Sequence, residues 1–183
     1  MTSSRKNKTL FIDREAASVL EILKCGLLKP LTGLMSKKQK ESIIKTGKIN
    51  GTTFPIPLIL GPSGARNEEV IKSLEIGEEL SILCEGEEFA TLIVDETFIT
   101  DPQRRTKHIF GTDDLSHPGV QNTIERLGTR AVCGEYEILN TKVNQNKINK
   151  EVIEVAKRTT NAKHTSALIL GANPLHRAHE RLI

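Results

Sequence analysis

Two histidines near the C-terminal end of the sequence have a spacing suited to phosphate binding. An apolar run at residues 166–170, typical of a β-strand, leads through a short turn to His176 and His179, on the predicted first turns of a helix. The N–H groups and the positive dipole end at the start of a helix attract anions, and residues three apart share one helical face. The pattern therefore predicts that both imidazoles donate to the phosphates of a nucleotide.

The spacing of this histidine pair is also compatible with two different roles. A metal ion could bind two histidines at this spacing, but no third ligand is visible nearby in the sequence. The pair could also be an incidental feature of a helix surface. Phosphate contact is the interpretation that also accounts for the strand and the turn before the helix.

Length and composition favour a water-soluble, folded protein. The 183 residues are enough for one domain with a sizeable core and a remainder, and 37% hydrophobic with 27% charged residues is typical of globular proteins. No run approaches the length of a membrane span, and the polar N-terminus has no apolar stretch suited to a signal peptide. We therefore expect a cytoplasmic protein that does not associate with a membrane.

The sequence offers little support for a structural metal or a disulfide framework. Cys25, Cys84 and Cys133 are far apart and form no C-x-x-C pair, so buried or incidental thiols are expected. The spacing of Asn144 and Asn146 is similar to part of a calcium loop, but the required glycine and acidic ligands are absent. We expect no metal site of the protein's own.

Short basic clusters occur at residues 5–8, 37–40 and 104–108 within a chain of net charge +3. Solvated surface accounts for most such runs, but they could also contact nucleic-acid phosphates. The chain has no Trp, one Tyr and five Phe, so few side chains could stack on bases. RNA binding is therefore an alternative that the composition disfavours.

Two helices are predicted in the first third of the chain. Asp13 can cap a helix that continues through Lys24, because apolar residues recur there at helical spacing. Ser36 and Gln39 form the signature of a capping box, and Gly47 can end that second helix. Both segments should flank a sheet.

The predicted strands lie between and after these helices. Residues 54–60 contain two prolines, which cannot donate to a strand ladder, so this segment is expected at a sheet edge or strand entry. Residues 79–85, 89–94 and 131–139 have the apolar or alternating pattern of strands. The predicted fold class is α+β, with a small, mostly antiparallel barrel or sheet and flanking helices.

The composition becomes polar from residue 140 to 165, around a modest helix that includes Ile148 and Val152. We place a linker there, between a first domain at residues 1–139 and a final segment at residues 166–183. Before it, Asp113 and His117 precede a Pro-Gly pair, where a turn or a helix cap is expected.

Four ordered segments carry a resemblance to a known family. They are GLLKPLTGLM at residues 26–35, FPIPLIL at 54–60, IFGTDDLSHPGV at 109–120 and NPLHRAHE at 173–180. Read in this order, they resemble the N-terminal region of ATP sulfurylase, also called sulfate adenylyltransferase. The resemblance extends from about residue 10 to the last residue.

This resemblance implies a fold and an activity. It implies a PUA-like domain followed by the first strand and helix of a Rossmann-like nucleotidyltransferase domain. The family joins ATP and sulfate into adenosine 5′-phosphosulfate and pyrophosphate, with Mg²⁺ accompanying ATP and no covalently bound cofactor. By position, the resemblance assigns ATP phosphate binding to Asn173, His176 and His179, with both histidines in the catalytic site, and an interface with the catalytic domain to the segment around His117.

The sequence differs from the family in the segment that helps to hold the sulfate and phosphate anions, which we call the anion clamp. The family's usual Gln-x-Arg-Asn is replaced, so Leu170 and Ala172 stand where glutamine and arginine help to hold sulfate and phosphate. Alanine cannot make the bidentate, charge-assisted contacts of a guanidinium. We therefore expect this chain to be inactive by itself, and its oxyanion preference stays open.

The last residues predict a piece of a longer protein. The final predicted helix ends at Ile183 with no glycine, asparagine or proline stop, and one strand-helix unit cannot close a nucleotide pocket. An unpaired strand at residues 166–170 and the apolar Leu175, Leu182 and Ile183 could support self-association. An interaction module is therefore a further alternative.

Overall fold

The computed structural model describes residues 8–140, 146–161 and 163. The chain divides into two compact units, Met1–Val143 and Asn144–Ile183. In the second unit the structure describes one helix, and its side chains from Glu151 onward are mostly exposed wherever they are described. The final predicted strand and helix, at residues 166–183, lie outside the described residues.

The described part of the chain forms seven strands and six helices. The strands are β1 (Lys8–Ile12), β2 (Lys48–Ile49), β3 (Thr52–Thr53), β4 (Leu60–Pro62), β5 (Glu79–Cys84), β6 (Glu87–Ile99) and β7 (Leu127–Ile138). The helices are α1 (Arg14–Lys24), α2 (Lys37–Thr46), α3 (Ala65–Ser73), α4 (Pro102–Phe110), α5 (Pro118–Arg126) and α6 (Asn146–Thr160).

A curled five-stranded sheet in the order β1-β5-β6-β7-β4 forms the centre of the first unit. Its pairs are antiparallel except β1 with β5, which are parallel. The ladders of β5 with β6, β6 with β7 and β4 with β7 contain register shifts, and such bulges increase strand twist and bend a sheet. The predicted mixed fold with a mostly antiparallel sheet and flanking helices is confirmed.

Local capping explains where the first two helices begin. Asp13 caps α1 and accepts a hydrogen bond from the Ala16 N–H at 2.8 Å. Ser36 and Gln39 form the complete predicted capping box of α2, and Gly47 ends that helix in the left-handed conformation with φ of 65°. These sequence predictions are confirmed.

The core consists of two main hydrophobic clusters. The larger one packs the sheet against α1 and α3 and includes the fully buried Leu10, Leu20, Phe89 and Leu92. The hydroxyl of Tyr136 on β7 donates to the Leu20 carbonyl of α1 at 2.8 Å, which joins sheet and helix inside this cluster. A second cluster lies around α2 and the preceding loop, and contains Leu23, Leu31, Met35, Ile43 and Ile49.

Several elements differ from the sequence expectation. The Pro-rich segment contributes only β4 at the sheet edge, since its ordered pairing begins at Leu60. Strand β1 and helix α3 have weak local signals and were not predicted. Helix α4 was not predicted either, although Asp101 and Pro102 mark its start and Gly111 marks its end. β6 is longer than expected because it continues past the bulge between Val94 and Glu96.

Candidate functional site

The phosphate-binding residues predicted from the sequence, Asn173, His176 and His179, lie outside the described residues. Leu170 and Ala172, which replace the family's anion clamp, also lie outside them. The geometry described below is therefore that of the first unit, which does not include these residues. Among the described residues, no cluster of three or more His, Cys, Asp or Glu is arranged to hold a metal ion, and no helix is long and apolar enough to cross a membrane.

His117 is a helix cap, as one of the two sequence interpretations predicted. Its Nδ1 accepts a hydrogen bond from the Gly119 N–H at 3.1 Å at the start of α5. Its ring lies 5.1 Å from the ring of Phe110, measured between centroids. The Asp113 carboxylate instead lies 4.0 Å from the Lys107 ammonium. These contacts give His117 a structural role in shaping the loop between α4 and α5.

Two of the basic clusters, at residues 37–40 and 104–108, meet at one carboxylate. Glu41 lies 3.0 Å from Lys40 and 3.2 Å from Arg104, so one carboxylate joins the two clusters. These two contacts hold the pKa of Glu41 below its ordinary value, the hydrogen bond from Lys40 being the largest cause. The Lys40 ammonium also lies over the Phe98 ring, 5.6 Å from its centroid. This arrangement is that of a partly exposed ion-pair network.

Arg126 forms the best-defined charged contact of the first unit. Its Nε and Nη2 donate to the two carboxylate oxygens of Asp13 at 2.6 and 2.8 Å, and its Nη1 donates to Glu15. The contact joins the end of α5 to the start of α1, across more than a hundred residues of sequence. The hydrogen bond from Arg126 to Asp13 is the largest cause that raises the pKa of Arg126.

The pKa of Asp13 lies below its ordinary value of 3.8. Burial alone would raise this pKa, but hydrogen bonds from Arg126 and from the Ala16 N–H outweigh that effect. A carboxyl group whose pKa is lower in the folded state stabilises the fold above its unfolded-state pKa. That contribution is lost as the pH falls through the folded-state pKa.

We expect Asp13→Asn to lower the free energy of unfolding by about 1 kcal/mol at pH 7, because the ion pair is partly screened by solvent. Asparagine keeps the helix cap through its amide oxygen, but it removes the charge and replaces the acceptor of the Arg126 Nε–H with an NH2 group. The difference from the wild type should shrink below about pH 4 and vanish below the folded-state pKa. Urea unfolding across pH measures it. A difference that stays constant down to about pH 2 would contradict this assignment, and Glu15→Gln, at a more exposed carboxylate, should have a smaller effect.

A cavity of about 190 Å³ lies beside this ion pair, inside the first unit. Its walls are mostly apolar and come from α1, the loop before α2, the segment through β4, and the end of α5. The apolar residues that line it are Ala16, Val19, Leu20, Leu34, Leu58, Ile59, Leu60, Pro62 and Leu127. Its charged residues are Asp13, Glu15, Arg105 and Arg126.

Arg105 is the unusual charged residue of this cavity. Its Nη1 donates to the Pro57 carbonyl, while its Nε is buried without a hydrogen-bond partner. Burial lowers the pKa of Arg105 to about 10, since a desolvated cation is less stable than one in water. The same side chain also lines a small cavity of about 20 Å³ with Lys40 and Arg104. Arg105 is therefore a half-buried cation held by a neutral carbonyl oxygen.

Sequence reasoning missed both arginines that shape this cavity. Arg105 belongs to a basic run that is typical of solvated surface, and only the apolar Ile109 and Phe110 later in the same helix hint that one face packs inward. No sequence motif marks Arg126, because its partners Asp13 and Glu15 are remote in sequence.

Comparison with known proteins identifies the first unit. A family model described as a PUA-like domain matches residues 1–141, which is most of the chain. The chain belongs to the PUA-like domain family. The cavity and both arginines lie within this PUA-like domain.

Curated relatives extend the similarity beyond the PUA-like domain. Sulfate adenylyltransferase from Persephonella marina is 30% identical over 183 residues, and the match covers 96% of this chain and 46% of the relative. Those from Halothermothrix orenii and Nostoc punctiforme are 24% and 29% identical, over 94% and 92% of this chain and 45% and 43% of the relatives. The chain matches the N-terminal part of these relatives and spans less than half of their length.

A solved structure supports the fold of the PUA-like domain. It is titled hexameric APS kinase from Thiobacillus denitrificans, and it matches 85% of this chain and 27% of its own chain with a TM-score of 0.56. The sequence identity is 20%, so the likeness concerns the fold alone.

Proposed function

We propose that this chain is the N-terminal portion of a sulfate adenylyltransferase-type protein. The observation that carries the proposal is that the similarity to sulfate adenylyltransferases covers 92–96% of the chain, well past the PUA-like domain. In this proposal residues 166–183 begin a Rossmann-like nucleotidyltransferase domain. The substrates of the whole protein are ATP, with its Mg²⁺, and sulfate, and the protein acts in sulfate assimilation in the cytoplasm.

Asn173, His176 and His179 bind the phosphates of ATP in this proposal. Nucleotidyl transfer needs no covalent nucleophile, because catalysis depends on positioning and on donors aimed at phosphate oxygens. Two imidazoles and an amide at the start of a helix supply such donors. Their role is to hold the phosphates while negative charge redistributes around the α-phosphorus.

By itself the chain should not complete the reaction. Leu170 and Ala172 cannot supply the amide and guanidinium that the family uses to hold sulfate and phosphate. The chain also spans less than half of the length of its relatives, so it brings only part of their sequence. In this proposal the rest of the nucleotide site comes from sequence that these residues do not include. Residues 166–170 and the apolar Leu175, Leu182 and Ile183 are a candidate surface for self-association.

An assay of sulfate-dependent pyrophosphate release tests this proposal. We expect no release above background from this chain with ATP, Mg²⁺ and sulfate, while the full-length sulfate adenylyltransferase of Persephonella marina serves as the positive control. Sulfate-dependent turnover that disappears in His176→Ala would contradict the expected inactivity. It would also show that Leu170 and Ala172 are compatible with sulfate activation.

RNA binding receives no support from the described residues. Lys40 and Arg104 share Glu41, Arg105 is half-buried, and Lys107 lies near Asp113. A phosphate backbone would have to compete with these contacts for the same cations.

A further inference from the structure

The cavity beside α1 combines an apolar interior with a cation that lacks an acidic partner. Arg126 is bound to Asp13 and Glu15, so these three charged side chains already satisfy one another. Arg105 instead donates its hydrogen bond to the neutral Pro57 carbonyl. Burial lowers the pKa of Arg105 to about 10, which agrees with a cation that is largely removed from water.

The charge of Arg105 favours an oxyanion. Its Nε is enclosed by protein atoms, and among the described residues no ion pair joins the guanidinium to an acidic side chain, so the cation has no counter-charge. A carboxylate in the cavity that Arg105 lines would supply that counter-charge, and guanidinium groups bind carboxylates through charge-assisted hydrogen bonds. The chemistry of Arg105 therefore selects a negatively charged ligand group.

The walls and the size of the cavity indicate the chemistry and the size of the remaining part of the ligand. Val19, Leu20, Leu34, Leu58 and Leu60 present aliphatic surface. The cavity volume of about 190 Å³ is slightly larger than the roughly 150 Å³ that accommodates benzene in an engineered protein cavity. A single ring or a branched aliphatic group with one carboxylate matches this volume.

We propose that this cavity of the PUA-like domain binds a small monocarboxylate, with its apolar body against α1 and the β4 segment and its carboxylate on Arg105. This site differs from the nucleotide site proposed at Asn173, His176 and His179. It uses residues of the first unit alone, so it does not depend on the proposed adenylyltransferase function.

Benzoate is the probe for this site, because it joins one ring to one carboxylate. Titration of benzoate into the full chain, followed by calorimetry and by amide chemical shifts, should show saturable one-to-one binding at millimolar concentrations. Benzyl alcohol keeps the ring without the charge, and sulfate supplies a charge without an apolar body. Both should bind at least about tenfold more weakly than benzoate.

Arg105→Met is the decisive variant, since it keeps an unbranched apolar side chain and removes the guanidinium. We expect it to weaken benzoate binding about tenfold or more. Arg104→Met is the matched control, because Arg104 is the adjacent arginine on α4 but does not line this cavity, and it should stay within about twofold. Circular dichroism and urea unfolding check that each variant is folded.

A second variant covers the case in which Arg105→Met does not fold. Val19→Phe adds volume at the cavity wall and leaves Arg105 in place, so it should also abolish benzoate binding. The proposal is overturned if the wild type shows no saturable benzoate binding, if Arg105→Met binds benzoate as the wild type does, or if sulfate or benzyl alcohol binds as tightly as benzoate.

Discussion

Replacing Gly134 with alanine is expected to destabilise the PUA-like domain by about 3 kcal/mol or more, a large fraction of the stability of a typical domain. Gly134 lies on β7 opposite Val94 of β6, next to the bulge in the central ladder of the sheet. A Cβ atom at this position would lie 1.9 Å from the Ile93 carbonyl oxygen and 2.9 Å from its carbon. Because both neighbours are backbone atoms, only a shift of the strand could relieve the overlap.

Urea unfolding followed by far-ultraviolet circular dichroism measures this effect. Gly33→Ala is the matched control, because a Cβ there meets no atom within 4 Å. Its stability should stay within about 0.5 kcal/mol of the wild type. Equal unfolding midpoints for Gly134→Ala and the wild type would show that β6 and β7 do not approach as closely as the structure describes.

The local parts of this fold could be predicted from the sequence because their causes are local. Asp13 caps α1, and Ser36 with Gln39 starts α2, through contacts that span only three residues. Gly47 ends α2 because glycine adopts the left-handed conformation at low cost. The cap role of His117 likewise depends on a neighbour two residues away.

Most of the parts that sequence reasoning missed depend on contacts between remote segments. β1 pairs with β5, about seventy residues later, and its Phe11 backbone bonds to the Asn67 side chain of α3, so its five residues carry little local signal. Likewise, spacing along the chain cannot show that Arg126 meets Asp13 or that Arg105 reaches Pro57. The charged residues of the cavity could therefore be identified only from the structure. The phosphate-binding role of Asn173, His176 and His179 is still a proposal based on sequence.

The second large effect is expected at His176. If His176 and His179 hold the phosphates of ATP, removing one imidazole leaves polyanionic oxygens without a donor. Charge-assisted hydrogen bonds contribute up to about 3 kcal/mol, which corresponds to roughly a hundredfold in affinity. We therefore expect His176→Ala to reduce ATP binding by about that factor, while His164→Ala, at a histidine outside the proposed site, leaves it unchanged.

Calorimetric titration of ATP with Mg²⁺ into the full chain, repeated with His176→Ala and with the His164→Ala control, tests the central claim most directly. We predict weak but saturable ATP binding to the wild type and to His164→Ala, because the two imidazoles can hold phosphates even where the pocket is not closed. Binding to His176→Ala should be about a hundredfold weaker. Absence of ATP binding to the wild type, or binding that His176→Ala leaves unchanged, would contradict the assignment of a phosphate site to Asn173, His176 and His179.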